Sequence, residues 1–187
     1  DDDDDDDDIG DDDDGDDDVA PKVRVRIENV APWTLVKSGV SATNTTGNRA
    51  PAGPNEAFEV TFKGIKGYSI SFATMFGESN DWFFAPDGQG IALYDGAGNP
   101  TAGDVTAQIK LWNAGTELDE EPGVGASTGT KQTKPNSGAR DANENVRIVP
   151  ADITLADGTM FAVPAVDKMI RVTLTPSEPN SFTLRVE

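Results

Sequence analysis

The chain contains no cysteine and no histidine, so its chemistry depends on side chains that carry oxygen. It therefore has no disulfide framework, no thiolate or imidazole metal site, and no Ser-His-Asp or Cys-His pair for nucleophilic catalysis. Carboxylates are abundant, with 34 Asp and Glu against 15 Lys and Arg. Any metal ion is therefore held by oxygen ligands, which makes Ca²⁺ the first candidate.

Paired carboxylates can also act as catalysts. Two of them hydrolyse glycosides when they lie roughly 5 to 9 Å apart, and Asp81, Asp95 and Glu117 are the candidates here. Nothing in the sequence shows that these three converge, and the absence of His and Cys leaves few general acids and bases. We therefore expect a protein that is not an enzyme.

Most of the negative charge lies in one segment at the N-terminal end. Residues 1–18 contain 15 Asp and no basic residue, so the 19 acidic and 15 basic residues of 19–187 give a net charge of only −4. With almost no apolar surface to bury, the segment is expected to be an extended, self-repelling chain when alone in water. We predict a polyaspartate tail or linker at 1–18 and one domain at 19–187. The tail is a solvated spacer, a weak multivalent binder of divalent cations, or a strut that is ordered by cations and a partner surface.

Two motifs in the body carry a family resemblance. Residues 79–86 read Ser-Asn-Asp-Trp-Phe-Phe-Ala-Pro and residues 111–117 read Leu-Trp-Asn-Ala-Gly-Thr-Glu, with Met-Ile-Arg-Val-Thr-Leu at 169–174. Over residues 22–187 the chain resembles the spondin N-terminal domain family. That family occurs in animal matrix proteins such as F-spondin and mindin, and in many exported bacterial proteins of unassigned role.

The resemblance implies a β-sandwich, similar to calcium-dependent lipid-binding modules, with one Ca²⁺ at an end of the sandwich. The implied ligands are Asp81, Asn113 and Glu117. The commoner animal form of the second motif has Asp at the positions of Asn113 and Glu117. Asn113 removes a charge and Glu117 changes the reach of the carboxylate. Asp81 can instead cap a turn through its side chain. Trp82 and Trp112 are expected to be core or rim anchors.

The elements that must position these residues are strands. Apolar and polar residues alternate from Pro21 onward, and turn-rich stretches separate the alternating runs. The pattern predicts an all-β fold, an antiparallel β-sandwich of about eight strands. The predicted strands lie at 22–28, 57–63, 68–76, 90–94, 105–112, 168–174 and 181–186.

The longest irregular segment runs from Glu117 to Asn145, and a loop of this length in a compact domain is usually functional or mobile. Its acidic residues are expected to form a solvated loop that can also attract a cation over distance. They are Glu117, Asp119, Glu120 and Glu121.

Basic residues on predicted strands suggest a second use of the tail. If their strands are neighbours, they form a basic face that is either ordinary solvated charge or a docking surface for the acidic tail of the same or another molecule. They are Lys22, Arg24, Arg26, Arg171 and Arg185. Docking of one subunit's tail on the next subunit, bridged by divalent cations, would build a structural filament. Separately, Asn44-Thr-Thr46 matches the N-glycosylation pattern.

The leading functional expectation is a noncatalytic, calcium-binding adhesion or surface module. It would be exported, extracellular or at the cell surface, with a signal peptide already removed, and its partner would be a cell-surface or matrix ligand. The acidic balance argues against nucleic acid, and no stretch approaches the ~20 apolar residues of a membrane span. The alternative is the structural subunit of an extracellular filament.

Overall fold

A computed structural model describes residues 38–40, 43–49, 51–134 and 136–187. The acidic tail at 1–18 and the predicted strand at 22–28 lie outside the described residues, so both stay predictions. Contacts among the described residues group Val40–Glu187 in one compact unit. All of the elements below belong to this unit.

The secondary structure is almost entirely extended. Twelve strands are present in the described part of the chain: β1 (Phe58–Lys63), β2 (Ser69–Ile70), β3 (Thr74–Met75), β4 (Trp82–Pro86), β5 (Ile91–Ala92), β6 (Gly103–Asp104), β7 (Ile109–Asn113), β8 (Arg147–Ile148), β9 (Asp152–Thr154), β10 (Met160–Ala162), β11 (Val172–Glu178) and β12 (Ser181–Val186). Three short 3₁₀ helices occupy Thr106–Gln108, Gly129–Lys131 and Val166–Lys168. Every pairing between these twelve strands is antiparallel. The all-β, antiparallel fold class is therefore confirmed.

One four-stranded sheet has the order β1-β12-β11-β6. Its register places Leu184 directly opposite both Val60 and Leu174, so these three side chains share one face of the sheet. Leu174 and Leu184 are buried, as their alternating pattern predicts. Val60 lies on the same face but is exposed, because β1 is at the edge of this sheet.

The second four-stranded sheet has the order β3-β4-β7-β8. Its strand β4 carries the sequence Trp-Phe-Phe-Ala-Pro, and four of its five residues are buried. The alternation pattern did not predict this strand, because a continuous apolar run gives no period of two. Five of the twelve strands have only two residues, which is too short for a pattern, and the expected count of about eight is not confirmed.

Both four-stranded sheets and the short strands contribute to one hydrophobic core. Its buried members are Trp82, Phe84, Ile91, Leu93, Val105, Ile109, Leu111, Ile153, Leu155, Ile170, Val172, Leu174, Phe182 and Leu184. A shared core between two sheets is what a sandwich requires, but the sandwich arrangement itself stays a prediction.

The segment between β7 and β8 is long and irregular, as the sequence predicts. Besides the helix Gly129–Lys131 it contains one isolated antiparallel bridge, between Glu117 and Arg140. No helix within the described ranges is long and apolar enough to cross a membrane. The long segment folds back onto the end of the β4–β7 pair, where the two sequence motifs meet.

Candidate functional site

The two motifs meet because β4 and β7 are antiparallel, so the start of one strand lies beside the end of the other. Trp82 pairs with Asn113 in the register of the sheet. One residue further, the backbone N–H of Ala114 donates to the carbonyl oxygen of Asp81 at 3.1 Å. The structure therefore brings Asp81 and Asn113, which are 32 positions apart in the sequence, to the same end of the sheet.

Asp81 fixes the turn that follows β7. Its Oδ2 atom accepts hydrogen bonds from the backbone N–H of Thr116 (2.8 Å), the hydroxyl of Thr116 (2.9 Å) and the backbone N–H of Glu117 (3.1 Å). The side chain thus braces a turn distant in sequence, rather than its own. The residue is only 4% exposed, so the carboxylate is buried. All three of these hydrogen bonds go to one of its two oxygens, Oδ2.

Gly115 allows the turn to form. Its φ of +76° lies in the left-handed region, and a Cβ atom there would come within 2.8 to 2.9 Å of backbone atoms of residues 143–145. A larger residue would be strained in its own backbone and would collide with the end of the long loop. The glycine therefore joins the turn after β7 to the segment that enters β8.

Two buried oxygens at this end of the sheet have no hydrogen-bond partner among the described residues. They are Oδ1 of Asp81 and Oδ1 of Asn80. The other half of the Asn80 amide is satisfied, since its Nδ2 donates to the carbonyl of Leu118 at 2.7 Å. Buried polar atoms are almost always paired, and leaving one unpaired costs about 1 to 3 kcal/mol. A water molecule or a cation would satisfy both atoms.

The other two predicted ligands have partners. Asn113 accepts from the backbone N–H of Gly115 through Oδ1. Glu117, which is 1% exposed, accepts from Gly138 N–H through Oε1 and from Nε2 of Gln132 through Oε2 at 2.7 Å. Across the described ranges, no three carboxylates form a group that could hold a metal ion as they stand.

Asp119 is a central residue of this site that the sequence did not single out. The inner-face row Trp82–Asn113–Arg147, set by the sheet register, points at its carboxylate. Trp82 Nε1 donates to Oδ1 at 2.6 Å, Asn113 Nδ2 donates to the same atom at 2.7 Å, and Arg147 Nη2 lies 3.9 Å from Oδ2. The sequence does not reveal this role of Asp119, because the residue lies in an acidic run that is typical of a solvated loop.

The environment of Asp119 disfavours its negative charge. Burial raises the pKa of the Asp119 carboxyl above its ordinary value, and the negative charge of Asp81 acts in the same direction. Hydrogen bonds from Trp82 and Asn113 and the charge of Arg147 oppose this rise in pKa without cancelling it. Asp81 and Asp119 are thus close enough to repel each other.

We call this region the acidic end. It consists of Asn80, Asp81, Asn113, Glu117, Asp119, Asp141 and Arg147. Arg147 also pairs with Asp141, whose backbone N–H donates to the carbonyl of Thr116. Four carboxylates and one guanidinium give the region a net charge of −3 when all are ionised. Buried charge of one sign needs compensation by protons or by a cation.

Asp95, the third candidate for paired carboxylates, is not part of the acidic end. Its carboxylate is exposed and accepts from the backbone and the side chain of Asn99, within its own turn. Trp82 is fully buried in the core, as expected. Trp112 lies on the opposite face of the sheet, where its Nε1 donates to the carbonyl of Ala85 at 3.1 Å.

Asn44, the residue of the glycosylation pattern, is buried at 5% exposure. Its Nδ2 atom, which would carry a glycan, donates to Oε2 of Glu56 at 2.8 Å. Its Oδ1 accepts from the backbone N–H groups of Thr46 and Asn48. The side chain therefore holds the 44–56 loop together.

The basic face is only partly described, because Lys22, Arg24 and Arg26 lie outside the described residues. Arg185 pairs with Glu59 at 2.6 Å and with Glu187 at 2.8 Å. Arg171 lies 3.6 Å from Glu187. Both described arginines thus have acidic neighbours within the domain.

Comparison of the chain with protein-family models, with curated proteins and with solved structures gives no match.

Proposed function

We propose that this protein is a noncatalytic module that binds one Ca²⁺ ion at the acidic end. The observation that carries the proposal is the unpaired, buried Oδ1 atom of Asp81, together with the equally unpaired Oδ1 of the preceding residue, Asn80. A carboxylate oxygen and an amide oxygen are ligands that hard cations prefer. A bound Ca²⁺ would supply both the missing partner and the missing positive charge.

The donor set suits Ca²⁺ better than a transition metal, because it contains only oxygen. Asp81 and Asn80 offer free oxygens, and Asn113 and Glu117 remain candidate ligands, since an oxygen that accepts one hydrogen bond keeps a second lone pair. Asp119 adds negative charge close to Asp81. Ca²⁺ takes about 6 to 8 oxygen ligands in flexible geometry, so backbone carbonyls and water would complete the shell.

The wider biological role rests on the resemblance to spondin N-terminal domains. On that basis we propose an exported protein that acts in adhesion at the cell surface or in the extracellular matrix, with the acidic tail as a spacer. The filament alternative receives no support from Arg171 and Arg185, because both are paired within the domain.

The proposal is tested by isothermal titration calorimetry of Ca²⁺ into the full chain. The wild type and Asp81→Asn carry the same acidic tail, so the weak binding of the tail is common to both and the difference reports the acidic end. We expect one additional site in the wild type and its loss in Asp81→Asn. Circular dichroism establishes that the variant remains folded.

Asp95→Asn is the matched control, because it removes an equivalent charge from an exposed turn. This variant should keep the additional site. Identical titrations for the wild type and a folded Asp81→Asn would refute the proposed function.

A further inference from the structure

Strand β1 forms an open edge of the sheet β1-β12-β11-β6. Within the described ranges its backbone groups bond only to β12, so those that point away from β12 have no partner there. Such an edge is a template for another strand, and proteins usually blunt it with a short strand, a proline or a bulge. Strand β1 has six residues, no proline and an unbroken register, whereas the opposite edge strand, β6, has two residues. The edge of β1 is therefore the one that can accept a further strand.

The core-facing side of β1 is incompletely covered. Val60 stands opposite Leu184 and Phe62 stands opposite Phe182, so these side chains share the core side of the sheet. Leu184 and Phe182 are 5% and 1% exposed, whereas Val60 is 39% exposed and Phe62 is only partly buried. The apolar face of the sheet thus extends beyond the elements that cover it.

Residues 22–28 lie outside the described part of the chain, and their sequence is that of a strand for such an edge. Its apolar residues, Val23, Val25 and Ile27, are all β-branched and alternate with charged residues. Three basic residues against Glu28 give the segment a net charge of +2, whereas 18 acidic and 11 basic residues give residues 40–187 a net charge of −7. The segment and the domain therefore have opposite charge.

We propose that residues 22–28 form a strand on the open edge of β1, parallel to it, with Val25 opposite Val60. The apolar residues of the two strands then meet pair by pair, since Val23 lies opposite Phe58 and Ile27 lies opposite Phe62. A shift by one residue would turn every apolar side chain of the segment away from the core. The added strand would cover Val60 and supply partners for the free backbone groups of β1.

The charged residues match in the same register. Arg24 stands opposite Glu59 and Glu28 stands opposite Lys63, so both pairs join opposite charges. Oε1 of Glu59 already accepts from Arg185 on β12, which leaves Oε2 for Arg24. Both faces of the segment thus fit β1.

Charge also selects the direction of the added strand. In the antiparallel direction, with Val25 still opposite Val60, Lys22 would stand opposite Lys63, and like charges directly opposite destabilise a strand pair. A parallel pair needs a connection of about a dozen residues or more. Residues 29–57 provide a connection of sufficient length.

The occupant belongs to the same molecule because the chain runs past this edge. Thr45 N–H donates to the carbonyl of Ala57 at 2.7 Å, so the chain lies beside the start of β1. Residues 29–44 span about 50 Å when extended, whereas β1 is ~20 Å long. A segment tethered in this way has an effective concentration on the order of mM. The segment of a second copy does not compete at lower protein concentrations.

Disulfide crosslinking of the full chain tests the position of the segment. The chain has no cysteine, so Arg26→Cys/Thr61→Cys introduces the only thiols, at positions that are opposite in the parallel register. Neighbouring strands lie ~4.8 Å apart, which suits a disulfide. We expect oxidation to close an intramolecular disulfide in most molecules. Arg26→Cys/Asp104→Cys is the control, because Asp104 on β6 would lie four strand spacings away, about 19 Å.

Thermal unfolding tests the burial of Val25. A carboxylate at this position would be buried without a partner, so Val25→Asp should lower the melting temperature by more than ~5 °C. Val40→Asp is the matched control, because Val40 is 94% exposed. Its melting temperature should stay close to that of the wild type.

Equal disulfide yields for the Thr61 and Asp104 pairs would overturn the proposed position, as would equal melting temperatures for Val25→Asp and Val40→Asp. A higher yield from Arg24→Cys/Thr61→Cys, which are opposite only in the antiparallel direction, would contradict the parallel register. Covalent dimers from Arg26→Cys/Thr61→Cys, in place of closed monomers, would show that the edge takes the segment of a second copy. The assignment to the same molecule would then be wrong.

Discussion

At the scale of single residues, the acidic end is organised by Asp81 and Asp119. Asp81 braces the turn after β7 with one oxygen and leaves the other buried and unpaired. Asp119 receives the side chains of Trp82 and Asn113. The sequence could name Asp81, Asn113 and Glu117 only through a family motif, and it could not find Asp119, because its role depends on the register of β4 and β7.

Asn113→Asp tests whether a cation offsets the repulsion between carboxylates at the acidic end. In the absence of Ca²⁺ the variant should melt at a lower temperature than the wild type, because a second carboxylate would face Asp119 in place of a donor. With Ca²⁺ it should show the larger rise in melting temperature, since the site gains a charged ligand. Differential scanning calorimetry with and without Ca²⁺ measures both shifts. A variant that is destabilised equally in both conditions would argue against a cation here.

Asn44→Ala tests the role of Asn44 in the 44–56 loop. The change removes four hydrogen bonds of a buried amide, two with Thr46 and one each with Asn48 and Glu56. We expect a loss of about 2 to 3 kcal/mol in the free energy of unfolding, measured by urea denaturation. Asn48→Ala, in the same loop but exposed, should cost much less. Equal losses for the two variants would show that Asn44 has no special role.

Asp141 predicts a pH dependence. Burial alone would raise the pKa of Asp141, but the hydrogen bond from Asn143 N–H and the ion pair with Arg147 outweigh it and lower the pKa. A lowered pKa in the folded state means that this group stabilises the protein above its unfolded pKa and loses that contribution as the pH falls through the folded value. Unfolding free energies of the wild type and Asp141→Asn, measured from neutral to strongly acidic pH, should therefore converge at low pH. A difference that is constant with pH would contradict this.

At the scale of elements, the sequence predicted the alternating strands and missed the others for physical reasons. The residues of β1 and β12 alternate between apolar and polar types along most of each strand, although Val60 on the edge strand β1 is exposed. Strand β4 is buried almost throughout and so lacks alternation. Two-residue strands such as β3 and β8 depend on tertiary pairing. The register between strands is set by the whole sheet, and it is the register that creates the inner row at Asp119.

Gly115→Ala tests the connection between the turn after β7 and the long loop. The new methyl would meet the backbone of residues 143–145 in addition to the strain of a positive φ. Gly67→Ala is the matched control, because its φ is +87° but nothing lies within 4 Å of the position that its methyl group would occupy. The control should lose about 1 to 2 kcal/mol, and Gly115→Ala should lose clearly more, as measured by chemical denaturation. Equal losses would mean that the loop adapts without cost.

At the scale of the whole molecule, negative charge is concentrated in two places. The acidic tail holds most of the net charge of −19. The acidic end holds buried carboxylates with one guanidinium. The partner that we propose for the acidic end is a divalent cation. The composition revealed the tail, but only the fold brings the residues of the acidic end together.

The most direct test of the calcium proposal is a crystal structure of the full chain grown with Ca²⁺, with anomalous scattering data. The proposal predicts an anomalous peak within about 2.3 to 2.6 Å of Oδ1 of Asp81, with Oδ1 of Asn80 in the same shell. A water molecule bonded to both oxygens in saturating Ca²⁺, with no anomalous signal at the acidic end, would contradict it.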